Sequence, residues 1–534
     1  MLSKLYPKIL SMTERVKRVL GLAPRQTGNK IIINCEKLER RVALLEGGQL
    51  EEYNIERQTD RNIVGSIFKG RVKNIEHALK AMFVDIGFEK NAFLHFWDAL
   101  PAALDSGIEE VDRSKTKKAA KRITAKDIPS IYPVGSEVLV QVTKGPISTK
   151  GPRITTNLSL AGRYLVLMPY SDQSGISRKI ESPKERERLR KILKELDIQE
   201  SMGLIVRTVG EGQRERYFVR DLGLLVEQWR AIETAMKEKP APNCVFAEPD
   251  LIERTVRDFL TDEIDAVLCD DEAAVKRMID LVGQISRRST SRIQHYSGAQ
   301  PIFESFGVQK QIDDAFHRQV WLKCGGYIVI DETEALIAID VNTGRNKGGK
   351  DVEKTILQTN IEAADEMSRQ MRLRNIGGLI IGDFIDMKSR KDQQAVYNRM
   401  KDRLRRDKAK THVIPISPLG LMEMTRQRAQ ESISGAVYEP CPYCYGRGKI
   451  KSAMTMSVEL QRELHQVMRK YPDVHEIKII IHPAVLERLK TEDDELLVEI
   501  ERKYAGRLSF RSDPASHQEK FIITDANSGA ELKA

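Results

Sequence analysis

Between Tyr327 and Met387 the sequence passes from strand to helix to strand, and that order constrains the fold more than any other segment. Residues 336–339 form an apolar run ending at Asp340, with Val341, Asn342 and Gly344 after it. Apolar positions at Val352, Ile356, Ala363, Met367 and Met371 then recur at helical spacing, and Asp351 is placed to cap that helix. Arg372 to Gly378 close it, and residues 379–381 form a second apolar run ending at Asp383. A strand–helix–strand unit makes its strands parallel. Asp340 and Asp383 therefore lie together at the carboxyl edge of an α/β sheet, where open sheets of this kind bind ligands. Alternation puts Asn342 on the face of Asp340 and turns Val341 away.

Two converging carboxylates repel unless a cation or a shared proton relieves them. Mg2+ suits such a place, because it takes one or two carboxylates and fills its shell with water and phosphate oxygens. There it activates water and stabilises charge at a phosphorus under attack. The plainer reading is that strand-end aspartates cap helices or pair with lysines. A rival reading lies alongside: Gly344-Arg-Asn-Lys-Gly-Gly349-Lys350 has the spacing of a phosphate-binding P-loop, with Asp383 as its magnesium-holding acid. The motif fails at Asp351, where Ser or Thr is required, so a nucleotide hydrolase is the weaker alternative.

The rest of the chain fits a polyanionic partner. Lysine and arginine number 87 against 77 acids, a formal +10, and 31% of residues are charged against roughly 25% in an average chain. With 41% apolar residues, 534 positions can bury several cores, three to four domains at about 150 residues each. No run reaches the ~20 apolar residues of a membrane span. Six cysteines, four of them isolated, argue against a secreted disulfide scaffold. A cytoplasmic protein is expected. Residues 1–29 hold one acid, Glu14, among lysines and arginines; they read as a basic extension, with a membrane-surface helix as the other possibility. Short β runs fall at 31–33, 42–45, 67–75, 82–86, 138–142, 205–206 and 478–481. Helices are expected over 182–200, 220–237, 252–290, 391–406 and 453–469. A block at 113–126 carries seven bases and no acid, the mark of a solvated loop that can also touch phosphate.

Three smaller constellations carry chemistry. Cys441-Pro-Tyr-Cys444-Tyr-Gly446-Arg-Gly448 is a two-thiolate knuckle whose glycines let backbone amides approach sulfur. A structural zinc needs four ligands. No second Cys-x-x-Cys exists, and Cys35, Cys244, Cys269 and Cys324 are scattered in the sequence. A zinc shared by two protomers, each giving one pair, is the economical solution and predicts a homodimer; a redox pair or an unpaired remnant are the alternatives. In Ala81-Met-Phe83-Val-Asp85-Ile86, alternation sends Met82, Val84 and Ile86 inward and Phe83 outward. With Phe93 ten residues on and lysines nearby, this reads as a stacking platform for single-stranded bases, although either ring could instead plug a barrel end. Arg207 and Thr208 follow a strand into a glycine-rich turn and could grip a phosphate, a weak signal read alone.

Several segments together resemble the ribonuclease E/G family: Lys69-Gly70-Arg71-Val72, Phe83-Val-Asp85, Gly151-Pro-Arg-Ile-Thr-Thr156, Val206-Arg207-Thr208, Val320-Trp-Leu-Lys-Cys-Gly-Gly-Tyr327, Asp340-Val-Asn342, Asn360-Ile-Glu-Ala-Ala-Asp365, Arg372-Leu-Arg374, Gly382-Asp-Phe-Ile-Asp386 and Gly420-Leu-Met-Glu-Met-Thr-Arg-Gln-Arg428. They run in order over roughly residues 30–450. The resemblance implies a multidomain α/β protein. Its parts would be a basic N-terminal extension (1–29), an RNase H-like subdomain (30–61 and 253–315), an S1-type OB-fold with the basic insertion (62–156), a 5′-sensor region (157–252), a DNase I-like catalytic subdomain (316–438), a zinc-link (439–452) and a small C-terminal domain (453–534). It implies a hydrolase, an endoribonuclease cutting single-stranded, AU-rich RNA to 5′-phosphate and 3′-hydroxyl ends in rRNA processing and mRNA decay. Asp340 and Asp383 would hold Mg2+ and Asn342 would position the scissile phosphate. Phe83, Phe93 and Lys150 match RNA-contact positions, and Val166, Arg207 and Thr208 match a sensor for a 5′-monophosphate. Cys441 and Cys444 match the intersubunit zinc ligands, with a dimer of dimers as the larger assembly. Ending at Ala534, the chain resembles the short ribonuclease G type, for which no degradosome scaffold is expected. A non-catalytic RNA-binding or ribosome-associated protein is the alternative from another class.

Overall fold

Three consecutive isoleucines account for the first sheet. In the strand Lys30–Cys35, Ile31 and Ile33 enter one core and Ile32 another, all fully buried. A short continuous apolar run behaves this way when a strand is covered on both faces. The strand pairs parallel with Ala266–Cys269 and antiparallel with Glu39–Glu46, and Ile293–His295 and Gln49–Arg57 form the two edges of the five-stranded sheet. Ala266–Cys269 corrects the expectation of helix throughout 252–290. That stretch is divided into helices Leu251–Phe259, Glu272–Ile285 and Arg287–Thr290 with the strand between the first two. Four apolar residues carry too little periodicity to separate strand from helix, and here parallel pairing to 30–35 decides.

This computed structural model describes residues 28–57, 63–101, 107–111, 124–146, 150–199, 201–346, 351–427 and 432–533. The expectations for residues 1–27, for most of the basic block at 113–126 and for 347–350 of the P-loop-like segment lie outside the described residues. The chain divides into two compact units, 1–436 and 437–534. No described helix is long and apolar enough to cross a membrane.

Within the first unit, Ile67–Glu76, Ala81–Asp85, Ala92–His95, Arg153–Thr155 and Glu137–Lys144 pair in that order. The last strand pairs again with the first, closing a five-stranded barrel of OB type. Met82, Val84, Leu94, Val140 and Ile154 fill its interior. Gly70 allows the closure, because a Cβ there would lie 2.6 Å from Val84 and 2.9 Å from the Asp85 carbonyl oxygen. A second five-stranded sheet, with Leu165–Met168, Gly203–Val206 and Ser174–Ser177 at its centre, is backed by helices Pro183–Glu195 and Glu215–Glu238.

The sheet that carries the acidic pair has six strands, ordered Gln319–Trp321, Tyr327–Glu332, Leu336–Asn342, Gly378–Asp383, Leu421–Arg426 and Thr411–Val413. Leu336–Asn342 and Gly378–Asp383 are parallel, as the strand–helix–strand order requires. Helix Val352–Leu373 joins them, and Asp351 caps it by accepting the Lys354 N–H at 3.3 Å. The second unit has a three-stranded sheet, Arg507–Ser512, Glu476–Ile481 and Phe521–Asp525, packed with helices Ala453–Lys470, Pro483–Thr491 and Asp494–Tyr504.

Candidate active site

Strand Leu336–Asn342 alternates cleanly. Ile337, Ile339 and Val341 are buried in the core with helix Val352–Leu373, while Ala338 and Asp340 are exposed and Asn342 is half-buried on the opposite face. Asp340 is the direct register partner of Asp383 on the next strand, so both acids leave the same open face at the carboxyl edge. The Asn342 amide donates to Asp340 Oδ2 at 2.8 Å, which fixes the amide beside the carboxylates. After Asn342 the chain turns at Gly344, whose φ of +55° and 2.6 Å clearance from the Gly325 carbonyl oxygen exclude a side chain. Partial burial, then the charges of Asp340 and Asp386, push the Asp383 carboxyl above its ordinary range. Among the described residues, no lysine or arginine is ion-paired to Asp340, Asp383 or Asp386. The donor set is hard oxygen bearing several negative charges, which fits a hard divalent cation. Asp351 pairs with Lys354 at 2.7 Å and sits at the helix N-terminus, where a P-loop would hold phosphate.

The barrel presents an aromatic row. Phe83 and Phe93 are cross-strand partners with ring centroids 5.9 Å apart in an edge-on arrangement, and His95 lies 6.4 Å further along. All three are half-buried, whereas Met82, Val84 and Ile86 are buried as alternation requires. Lys150 is exposed. Gly151 beside it abuts the Asn91 carbonyl, and the Pro152 carbonyl accepts the Phe93 N–H at 2.8 Å.

Arg207 leaves the end of strand Gly203–Val206, and the turn Thr208–Gly210 follows. Val166 pairs with Ile205 and so shares the face of Arg207 two residues on. The guanidinium is already held: Nη1 donates to the Gly162 carbonyl at 2.6 Å and Nη2 pairs with Asp258 at 2.7 Å. Burial raises the Asp258 carboxyl, but Arg207 and Arg257 outweigh it and hold the group at about 2. Thr208 is exposed beside this network.

In the second unit, Cys441 and Cys444 lie on one turn with Tyr445, Gly446 and Gly448 at positive φ. The Gly448 N–H donates to Cys444 Sγ at 3.3 Å. Hydrogen bonds from the Cys444 and Tyr443 backbone, and then from the Cys444 side chain, lower the Cys441 thiol. Two sulfurs lined by backbone amides thus share one turn, as the sequence pattern requires. Tyr443 stacks on His517 at 4.1 Å and so ties the turn to 517–519. Elsewhere, two of the cysteines that are scattered in sequence meet: the sulfurs and carboxylate of Cys35, Cys269 and Asp270 lie within 4.8 Å of one another, a possible metal site.

Residues 159–429 match the model of the Ribonuclease E/G family. The chain belongs to the ribonuclease E/G family. It is 39% identical to Ribonuclease G of Escherichia coli K12 over 494 residues, covering 92% of this chain and 99% of the relative. Ribonuclease G of Haemophilus influenzae is 37% identical with the same coverage. Ribonuclease E of that organism is 35% identical over 94% of this chain and 52% of the relative. As a member of the ribonuclease E/G family the chain is an endoribonuclease, a hydrolase. The span matched by the family model contains Asp340, Asn342, Asp383, Val166, Arg207 and Thr208; the barrel residues and the cysteine turn lie outside it and rest on the longer matches to the ribonucleases G.

Two further residues belong to the acidic site. Asp386 adds a third carboxylate and opens a groove of about 680 Å3 lined by Lys388, Arg390, Gln393, Tyr397 and Leu419. Asn360, fully buried in the helix, donates to the Ile385 carbonyl at 2.8 Å and accepts the Ile385 N–H at 3.1 Å, so it fixes the loop from Asp383 to Asp386. Both lie in the segments quoted for the resemblance. The signal the sequence offered was an asparagine on the helix's apolar stripe, four residues after Ile356 and three before Ala363.

Proposed function

We propose that the chain is a magnesium-dependent endoribonuclease that cuts single-stranded, AU-rich RNA to 5′-phosphate and 3′-hydroxyl ends, stimulated by a 5′-monophosphate, in rRNA processing and mRNA decay. The observation that carries it is the in-register pair Asp340 and Asp383, with Asn342 bound to Asp340 on an open sheet face and, among the described residues, no ion-paired lysine or arginine. Asp340 and Asp383 would hold Mg2+, and the chemistry such an ion supplies when bound is charge stabilisation at the phosphate and activation of water. Asn342 spends one amide N–H on Asp340 and keeps the other for a phosphate oxygen. Phe83 and Phe93 stack bases and Lys150 meets the backbone, an arrangement that selects unpaired RNA because a duplex offers no free base faces. Val166, Arg207 and Thr208 receive the terminal phosphate; Arg207 is preorganised by Gly162 and Asp258, and the phosphate shares its guanidinium with Asp258.

On this reading the first sheet (30–61 with 253–315) is the RNase H-like subdomain, 62–156 the S1-type OB-fold and 157–252 the sensor region. Residues 316–438 form the DNase I-like catalytic subdomain, 439–452 the zinc-link and 453–534 the small C-terminal domain. Cys441 and Cys444 from two chains complete one Zn2+ site in a homodimer, and the protein works in the cytoplasm.

The test is cleavage of a 3′-labelled, AU-rich single-stranded RNA in Mg2+ by wild type, Asp340→Asn and Asp383→Asn, with 5′-monophosphate and 5′-hydroxyl substrates. Each substitution should lower the rate by about 100-fold or more, and the monophosphate should be cut faster. Equal rates on both ends would remove the sensor role of Arg207. Undiminished cutting by both variants would remove the metal assignment, and RNA binding by an inactive wild type would favour the non-catalytic reading.

A further inference from the structure

Cys35 and Cys269 stand at the carboxyl ends of neighbouring parallel strands. Ile33 is the register partner of Cys269, so Cys35, two residues on, points to the same face. Their sulfurs are 3.8 Å apart. Two sulfurs bound tetrahedrally at about 2.3 Å from one Zn2+ are separated by the tetrahedron edge, about 3.8 Å. A disulfide fits less well. Ideal strand spacing puts diagonal residues of this kind about 8 Å apart at Cα, beyond the roughly 7 Å that a disulfide bridges.

A third donor converges on the same edge, and a histidine stands one strand over. Asp270 is oriented by the Cys35 N–H at 2.8 Å and by the Asn34 amide at 2.7 Å, and Asn34 is in turn gripped by Arg41 at 2.6 and 2.9 Å. Ligating carboxylates are held by such outer hydrogen bonds, which leave lone pairs for a cation. His295 is the register partner of Cys269 on the next strand, leaves the same face and is exposed. We propose that Cys35, Cys269 and Asp270, completed by His295, bind a thiophilic divalent cation of the Zn2+ class, one per chain. The ion ties together the carboxyl ends of three parallel strands. This site is separate from both the acidic pair and the Cys441–Cys444 turn, and it does not depend on the nuclease reading.

The experiment uses the full chain carrying Cys441→Ser and Cys444→Ser, reduced, metal-stripped and titrated with Co2+. The expected result is one equivalent of Co2+ with a thiolate-to-cobalt absorption band, lost on adding Cys35→Ser. His295→Ala should weaken binding by at least about tenfold. No band in the parent variant, or a band that survives Cys35→Ser, overturns the site. A second measurement uses the reduced wild type, so that it does not rest on the folding of the variants. Zn2+ should slow alkylation of Cys35, read by peptide mass spectrometry, and equal labelling with and without Zn2+ overturns the proposal.

Discussion

Asn360 shows how a residue remote in sequence sets the geometry of the acidic edge. Its amide completes both backbone groups of Ile385, 25 residues away, and is fully buried. Asn360→Ala leaves that N–H and C=O without partners, at a cost of about 1–3 kcal/mol each where buried, and frees the loop that carries Asp386. Cleavage should fall by about 10–100-fold, with RNA affinity little changed and the Mg2+ concentration for half-maximal rate raised. A loss of stability with an unchanged Mg2+ requirement would leave Asn360 a purely structural residue. Acid sensitivity follows from the same edge. In the metal-free protein the Asp383 carboxyl is held above the ordinary range, so protons compete with Mg2+ for it and the Mg2+ concentration for half-maximal rate should rise as pH falls. Protonation there relieves repulsion with Asp340 and Asp386, so the metal-free Asp383→Asn protein should melt no lower than wild type. The shared placement of Asp340, Asn342 and Asp383 at one sheet edge was legible because period-two alternation and the parallel rule act over a few residues. Asn360 was not, because helical spacing does not say which loop a buried amide will meet.

At the scale of elements, the pairing of Phe83 with Phe93 turns two half-exposed rings into one surface, and neither ring plugs the barrel. Base stacking on an aromatic side chain contributes about 1–3 kcal/mol per base. Phe83→Ala should therefore weaken binding of single-stranded RNA by about tenfold, measured by fluorescence anisotropy, and Phe93→Ala should act alike. The salt dependence should stay the same, since no phosphate contact is removed. A changed salt slope with unchanged affinity at low salt would assign this rim to the backbone rather than to bases. Elements made by local pattern were readable throughout: the capped helix Val352–Leu373, the alternating strands of the barrel, the isoleucine strand Lys30–Cys35. Ala266–Cys269 was not, since it exists as a strand only through pairing with residues more than two hundred positions earlier. The same distance hid the meeting of Cys35 with Cys269. Arg372 and Arg374, quoted for the family resemblance, prove to be ties: Arg372 pairs with Glu51 of the first sheet and Arg374 donates to the carbonyls of Ala315 and His317.

For the whole molecule the proposed zinc-link turns on how many chains would share one ion. A turn offering two cysteine sulfurs would satisfy half of a tetrahedral ion, and His517, stacked on Tyr443, uses its ring nitrogen on the Tyr443 carbonyl rather than completing the set. On the proposed reading the missing ligands come from a second chain, and assembly is linked to metal: whatever binds the dimer and not the monomer stabilises it by mass action. Wild type should sediment as a dimer or a multiple of it, with half a zinc per chain at this turn. Cys441→Ser with Cys444→Ser in the full chain should remove that half-equivalent and shift the sedimentation to the monomer, as should a strong chelator. Cleavage by the monomer should persist at a reduced rate, because Asp340, Asn342 and Asp383 all come from one chain. A double variant that sediments like wild type would place the dimer contact elsewhere and make the cysteine turn a local structural feature of the second unit.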